Sequence, residues 1–140
     1  MYNEETDRYN YISINCFLIP IISSIYYECN LFLIQCSLLF VTGLTYHIFL
    51  RKIKKLTPAL RCLRCLDMIV VHSVTSYIFY YSLYLNVYSL ISTFCLTGLV
   101  TFYYVYNEQF SHSYIHILGS TAILSAIQSC NINLETCHMC

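Results

Sequence analysis

Long uncharged segments, separated by short polar breaks, dominate the chain. Residues 11–27 and 31–50 are two such segments, and the polar break between them is residues 28–30. A third segment, residues 68–106, contains no Asp, Glu, Lys or Arg. A helix crosses the hydrocarbon core of a bilayer in about 20 residues, so the third segment is long enough for two crossings. We expect the turn between those crossings near residues 85–87.

A fifth segment, residues 113–129, is shorter and richer in Ser and Thr. The pattern as a whole predicts an all-α integral membrane bundle of about five transmembrane helices, covering residues 11–129. Residues 1–10 carry three acidic groups and one Arg, and no small-x-small cleavage site follows Tyr27. These features favour a first transmembrane span over a cleaved signal peptide.

Composition supports the membrane class. Hydrophobic residues make up 58% of the chain and charged residues 10%, whereas a soluble domain carries about 25% charge. The net charge is zero, which argues against nucleic acid as a partner. The expected partners are membrane lipid and either a second copy of the chain or another membrane protein.

The basic residues predict the orientation. Six of the seven Lys and Arg residues lie in the predicted loop 51–66, and the positive-inside rule puts that loop in the cytosol. The N-terminus is then cytosolic, and the cysteine-containing tail 130–140 is on the opposite side, where disulfides are chemically allowed. Cys62 and Cys65 in the basic loop have three interpretations: no specific role, reversible palmitoylation, or metal binding.

Four titratable residues fall in one layer of this topology: His47, Asp67, His112 and His116. His47 is near the cytosolic end of the second predicted helix. Asp67 is expected to open the third helix, and His112 and His116 to open the fifth, again at the cytosolic end. Ionisable side chains within a membrane are expensive to keep, so their convergence predicts a functional site.

The residue types are those of a zinc site. Histidines four apart on a helix share a face, and a third imidazole completes a three-histidine set that leaves one coordination position open. Asp67 could orient a water molecule, take its proton or support a ligand imidazole. The alternative is that the histidines bond water at the headgroup level and that Asp67 is a helix cap. His72 is five residues from Asp67, a poor spacing for a shared face, and we interpret it as a packing residue.

Three short motifs resemble the CREST superfamily of intramembrane hydrolases, which includes alkaline ceramidases, progestin and adipoQ receptors, hemolysin-III-like proteins and myomaker-like proteins. Residues 45–47 (Thr-Tyr-His) resemble the end of that family's second helix. Residues 63–67 (Leu-Arg-Cys-Leu-Asp) resemble the segment that leads into its third helix, and residues 111–118 resemble the His-x-x-x-His start of its last helix. The family has seven helices, and a serine where this chain has Gly43.

The resemblance implies that His47, His112 and His116 hold zinc and that Asp67 assists the water. The implied activity is hydrolysis of an amide or ester bond in a lipid such as ceramide, at the cytosolic interface. A second hypothesis is a non-catalytic bundle, receptor-like or membrane-remodelling, that binds lipid or a partner protein. A third is a proton- or ion-handling site built from the same groups.

Overall fold

The computed structural model describes residues 4–53, 57–82, 86–101 and 111–132, and each element in those ranges is helical. In chain order the elements are α1 (Glu4–Ser13), a 3₁₀ turn (Ile14–Phe17), α2 (Leu18–Tyr26), α3 (Asn30–Ile53), α4 (Pro58–Ser82), α5 (Val87–Thr101) and α6 (Ser111–Ile132). The predicted all-α bundle is confirmed. α1, the 3₁₀ turn and α2 follow one another without a break and form a single N-terminal segment.

Three of the described helices are long and apolar enough to cross a membrane: α3 over Asn30–Phe49, α4 over Pro58–Tyr80 and α6 over Ser113–Ile132. α5 is apolar but shorter. Many large apolar side chains point outward, and Phe94 is 79% exposed. An apolar exterior of this kind is what a bilayer requires, so the structure supports the membrane class predicted from composition.

The helices around the basic stretch are longer than the sequence predicted. α3 continues to Ile53 and α4 begins at Pro58, so much of the expected loop 51–66 is helical. Pro is favoured at the first position of a helix because its missing N–H would have no intrahelical partner there. The Thr57 hydroxyl caps α4 by accepting from the Leu60 N–H at 3.3 Å. Asp67 therefore lies in the third turn of α4 and does not open the helix.

A Schellman turn joins α2 to α3. Glu28 has φ of 57° and is the described non-glycine residue with left-handed backbone. Its N–H donates to the Ile25 carbonyl at 3.3 Å, and the Cys29 N–H donates to the Ser24 carbonyl at 2.8 Å. These two bonds satisfy the last carbonyls of α2 and reverse the chain within three residues.

Asn86 starts α5, where the sequence predicted the turn. Its side-chain oxygen accepts from the Ser89 N–H at 2.8 Å, which is an N-cap. Its amide nitrogen donates to Ser129 Oγ at 2.7 Å. The cap therefore also joins the beginning of α5 to the end of α6.

The Cys16 carbonyl fastens the N-terminal segment to α6. Because proline has no N–H, Pro20 cannot donate to the carbonyl of Cys16 four residues earlier. That carbonyl accepts a backbone N–H at the end of the 3₁₀ turn, and the Ser120 hydroxyl of α6 donates to it as well, at 2.8 Å. The Ser120 bond joins two helices.

The helices pack around one apolar core. α5 lies along α6, α4 lies against α3, α5 and α6, and the N-terminal segment contacts both α3 and α6. The core combines small and large side chains, which allows close helix approach. Its buried members include Phe17, Phe32, Cys36, Leu39, Val74, Ile78, Leu96, Ala122, Ile123, Ala126 and Ile127.

Candidate functional site

His47 and His116 are in contact inside the bundle. His47 lies near the end of α3 and His116 near the beginning of α6, and their ring centroids are 5.4 Å apart with an interplanar angle of 85°. The two residues are 2% and 6% exposed. Phe17 packs edge-on against the His116 ring at 6.0 Å, and Tyr46 against the His47 ring at 5.3 Å. The contact predicted between these two histidines of different helices is present.

Ser13 orients the ring of His116. Ser13 Oγ is 2.7 Å from His116 Nδ1, a hydrogen bond that holds the imidazole against the N-terminal segment. The Asn10 carbonyl is a second partner of the same hydroxyl, at 3.0 Å. A histidine with its other nitrogen held by an oxygen in this way is typical of metal ligands.

Two more hydrogen bonds hold the N-terminal segment against α6. Ser113 Oγ donates to Asn10 Oδ1 at 2.8 Å, one helical turn before His116. Ser120 donates to the Cys16 carbonyl one turn after it. Sequence reasoning did not identify Ser13, since an isolated Ser in an apolar segment gives no local signal and its partner is 103 residues away.

The side chain of Asp67, on α4, lies against α3 about one helical turn before His47. Thr42 Oγ1 is 3.1 Å from Asp67 Oδ1. A Cβ added at Gly43 would be 3.5 Å from the same carboxylate oxygen and 2.7 Å from Ile14 Cδ1. Gly43, where the resemblance predicts a serine, thus leaves room for Ile14 of the N-terminal segment.

A cavity of about 210 Å³ connects Asp67 with His116. Both residues line it, and most of the remaining wall is apolar. The apolar part of the wall includes Ile14, Phe17, Leu39, Met68, Val71, Val74, Ile78, Leu96, Leu99, Val100, Ile115 and Ile123. An apolar pocket with a few convergent polar groups is the usual form of a small-molecule site.

The three-histidine set is complete only if His112 joins it. The backbone of His112 is in α6, one turn before His116, but its side chain lies outside the described residues. Among the side chains that the structure describes, no group of three His, Cys, Asp or Glu could hold a metal ion. His47 and His116 form a pair.

The spacing of the pair is compatible with a shared ion. Two imidazoles bound tetrahedrally to one zinc have ring centroids roughly 5 Å apart, because each donor nitrogen is about 2 Å from the metal. The observed separation is 5.4 Å, which is also that of an ordinary edge-to-face ring contact. A zinc site would need a further donor besides this pair.

The other candidate residues lie outside this cluster. His72 is exposed, and its Nδ1 is 2.7 Å from the Met68 carbonyl of its own helix. Cys62 and Cys65 are free and exposed near the beginning of α4. Cys130, at the far end of α6, is disulfide-bonded, and its partner lies outside the described residues.

Comparison of the chain with protein-family models, with curated proteins and with solved structures finds no match.

Proposed function

We propose that this protein is a zinc-dependent intramembrane hydrolase that cleaves an amide or ester bond of a lipid. The observation that carries the proposal is the buried contact between His47 and His116 beside a cavity that Asp67 also lines. The residue types and their order along the chain are those of the CREST resemblance. Each of the three residues comes from a different helix, so the arrangement depends on the tertiary fold.

The roles follow from the contacts. His47, His116 and, as the third donor, His112 would hold the ion. Ser13 would hold the His116 ring through Nδ1, so that Nε2 is the nitrogen that would bind the ion. When bound, zinc would polarise the scissile carbonyl and acidify water. Asp67, oriented by Thr42, would take the proton of the attacking water as a general base.

The cavity supports a lipid as the substrate. Its wall is mostly apolar, and its polar lining residues are Asp67, His72, Thr75 and Ser76 along α4 and His116 on α6. A lipid bound there would have its apolar chain against the aliphatic side chains and its amide or ester near Asp67 and His116. Hydrolysis would add water across the C–N or C–O bond and release a fatty acid with an amine or an alcohol.

The orientation belongs to the proposal. By the positive-inside rule, the basic residues favour a cytosolic location for the His47 end of the bundle. Cys130 is disulfide-bonded near the opposite end of α6. Disulfides persist in oxidising compartments, which is consistent with that end being non-cytosolic. The reaction would then take place near the cytosolic leaflet, in a protein with about five crossings.

Metal analysis of detergent-purified protein tests the proposal. We expect about one zinc per chain in the wild type and its loss in His47→Ala and His116→Ala, because each variant removes a donor. Asp67→Asn is the matched variant, since it should retain zinc and lose hydrolysis of an acyl-amide or ester lipid. Wild-type protein that contains no zinc and takes up none would contradict the proposal.

A non-catalytic lipid-binding bundle is the second candidate. The cavity supports a lipid-binding protein as well as it supports an enzyme. The two described histidines do not form a metal site without a third donor. In that case a fluorescent acyl lipid would bind equally well to wild type and to His47→Gln/His116→Gln. For the hydrolase, the same double variant would bind the lipid and fail to cleave it.

A further inference from the structure

We propose that three residues of α4, His72, Thr75 and Ser76, form a subsite for a hydroxyl group in the middle of a bound acyl chain. All three line the cavity that Asp67 and His116 also line. The inference deepens the proposed function and rests on the part of it that puts a lipid in the cavity. It requires neither zinc nor hydrolysis.

The Thr75 hydroxyl differs from the other threonine hydroxyls of the described helices. Six threonines there donate to the carbonyl four residues earlier in their own helix, which is the usual way in which a helical threonine satisfies its hydroxyl. They are Thr42, Thr45, Thr93, Thr97, Thr101 and Thr121. The hydroxyl of Thr75 forms no hydrogen bond with any described residue. It is therefore available to an occupant of the cavity.

Two neighbours supply further polar atoms. Residues three and four positions apart on a helix lie side by side, so His72, Thr75 and Ser76 are adjacent. The Ser76 hydroxyl likewise has no hydrogen-bond partner within the described part of the chain. His72 Nδ1 is 2.7 Å from the Met68 carbonyl. A carbonyl oxygen can only accept, so Nδ1 carries a hydrogen and Nε2 of the neutral imidazole is an acceptor.

These three groups match a hydroxyl. A hydroxyl can donate to His72 Nε2 and accept from Thr75 and Ser76, because it has one donor hydrogen and two acceptor lone pairs. A methylene group at the same place would leave all three groups without a bond, which is unfavourable once water is displaced. A ketone oxygen would satisfy the two hydroxyls and leave the imidazole unpaired. The set therefore favours a hydroxyl over both.

The surroundings do not suit a charged headgroup. Among the described residues that line the cavity there is no Lys or Arg, so a phosphate would find no cation to pair with. The subsite also lies within the apolar window of α4, Pro58–Tyr80. In a bilayer that window is at the level of acyl chains. The group that reaches the subsite is therefore part of a chain.

The distance from Asp67 gives the position of the hydroxyl on the chain. Thr75 is eight residues beyond Asp67, which is roughly 12 Å along the helix axis or about ten carbon atoms of an extended chain. The lining continues past Thr75 to Ile78 on α4 and to Ile123 on α6, which are 2% and 1% exposed. With the scissile bond beside Asp67, the hydroxyl is thus near the tenth carbon and the remaining tail lies against apolar side chains.

Binding of matched ethers to detergent-purified full-length protein tests the subsite. Tetradecyl methyl ether contains no amide or ester and cannot be hydrolysed. It is compared with the ether that carries a hydroxyl on its tenth carbon, by displacement of a dansyl-labelled undecanoate. The hydroxylated ether should bind roughly three- to tenfold tighter, because its hydroxyl gains hydrogen bonds in the cavity.

A positional isomer controls for polarity. The ether with its hydroxyl on the last carbon has the same composition, but it places that hydroxyl near Ile78 and Ile123, where the described wall is apolar. It should bind no tighter than the unsubstituted ether. Equal binding of the two hydroxylated isomers would contradict the proposed place of the subsite.

Thr75→Val tests the residue itself. Valine has nearly the shape of threonine without the hydroxyl, so the preference for the hydroxylated ether should fall roughly threefold or more. Binding of the unsubstituted ether should hold or improve. Thr97→Val is the matched control, since the Thr97 hydroxyl donates to the Thr93 carbonyl at 2.9 Å. This variant should keep the wild-type preference, and circular dichroism checks that both variants fold.

The possible failures can be told apart. Equal binding of the unsubstituted and tenth-carbon ethers, or a preference that persists in Thr75→Val, would overturn the subsite alone. If neither the dansyl probe nor any ether binds, both the subsite and a lipid in the cavity are overturned. Protein without zinc would contradict the proposed hydrolase and leave these binding measurements unchanged.

Discussion

Ser13 Oγ and His116 Nδ1 are 2.7 Å apart, although the two residues are separated by 103 positions in the sequence. The same hydroxyl is 3.0 Å from the Asn10 carbonyl. One residue of the N-terminal segment therefore holds Nδ1 of His116 and orients its ring.

Replacing Ser13 with Ala should weaken zinc binding about 10- to 100-fold, because His116 loses the oxygen that orients its ring. Competition with a chromophoric chelator measures the affinity. Ser24→Ala is the control: Ser24 is also buried in the same segment and donates to the Pro20 carbonyl at 2.7 Å, away from the histidines. Equal loss of affinity in both variants would mean that the Ser13 effect is a general loss of stability.

A double-mutant cycle tests the bond between Ser120 and the Cys16 carbonyl. Ser120→Ala should lower the free energy of unfolding by about 1 kcal/mol, because the Cys16 carbonyl loses one of its two donors. In a Pro20→Ala background, the new N–H of residue 20 can donate to that carbonyl. The effect of Ser120→Ala should then shrink by more than about 0.5 kcal/mol.

Denaturation in mixed micelles gives these free energies. Ser125→Ala, another buried serine of α6, should show no such dependence on residue 20. Additive effects of Pro20→Ala and Ser120→Ala would mean that the two residues do not share the Cys16 carbonyl.

Gly43 and Gly98 should respond differently to Ala. A Cβ at Gly43 would be 2.7 Å from Ile14 Cδ1, and Ile14 is 2% exposed, so we expect Gly43→Ala to destabilise the protein by about 1 kcal/mol. A Cβ at Gly98 meets Leu118 at 3.3 Å, and there the gain in helix propensity should make Ala neutral or stabilising.

The cause of the destabilisation expected in Gly43→Ala can be tested by removing Ile14 Cδ1. Ile14→Val deletes Cδ1 and should cost about 1 kcal/mol alone. Gly43→Ala should cost less in the Ile14→Val protein than in the wild type. If the two effects simply add, the side chain of Ile14 is not what limits position 43.

The orientation of the bundle can be measured with a membrane-impermeant maleimide. If the beginning of α4 is cytosolic, the exposed residues Cys62 and Cys65 should be labelled only after the membrane is permeabilised. Labelling of the wild type that disappears in Cys62→Ser/Cys65→Ser is assigned to these two cysteines. Labelling of the pair in sealed cells, without permeabilisation, would mean that the predicted topology is reversed.

Much of the fold could be predicted from the sequence because a bilayer restricts the length and composition of the segments that can cross it. Residues 68–106 are long enough for two helices, and Asn86 is indeed the cap between α4 and α5. The ends of α3 and α4 were less predictable. Charged side chains in residues 51–66 suggested a loop, but Arg and Lys are good helix formers, and the helices extend into that stretch.

Half of the candidate site was also predictable. His47 and His116 were expected to meet because they lie at the same ends of antiparallel helices, and they do. The side chain of His112 lies outside the described residues, so its part in a three-histidine set stays a prediction, as does zinc. Ser13 and Thr42 could not be found from sequence, since a hydroxyl in an apolar helix most often bonds its own backbone.

By itself the sequence determined the fold class and the number of long apolar segments. These properties depend on residue type and on the spacing of apolar and polar residues along each segment. Only the tertiary structure decided which hydroxyl supports which histidine. Such relationships depend on how the helices are rotated and packed, and no segment contains that information alone.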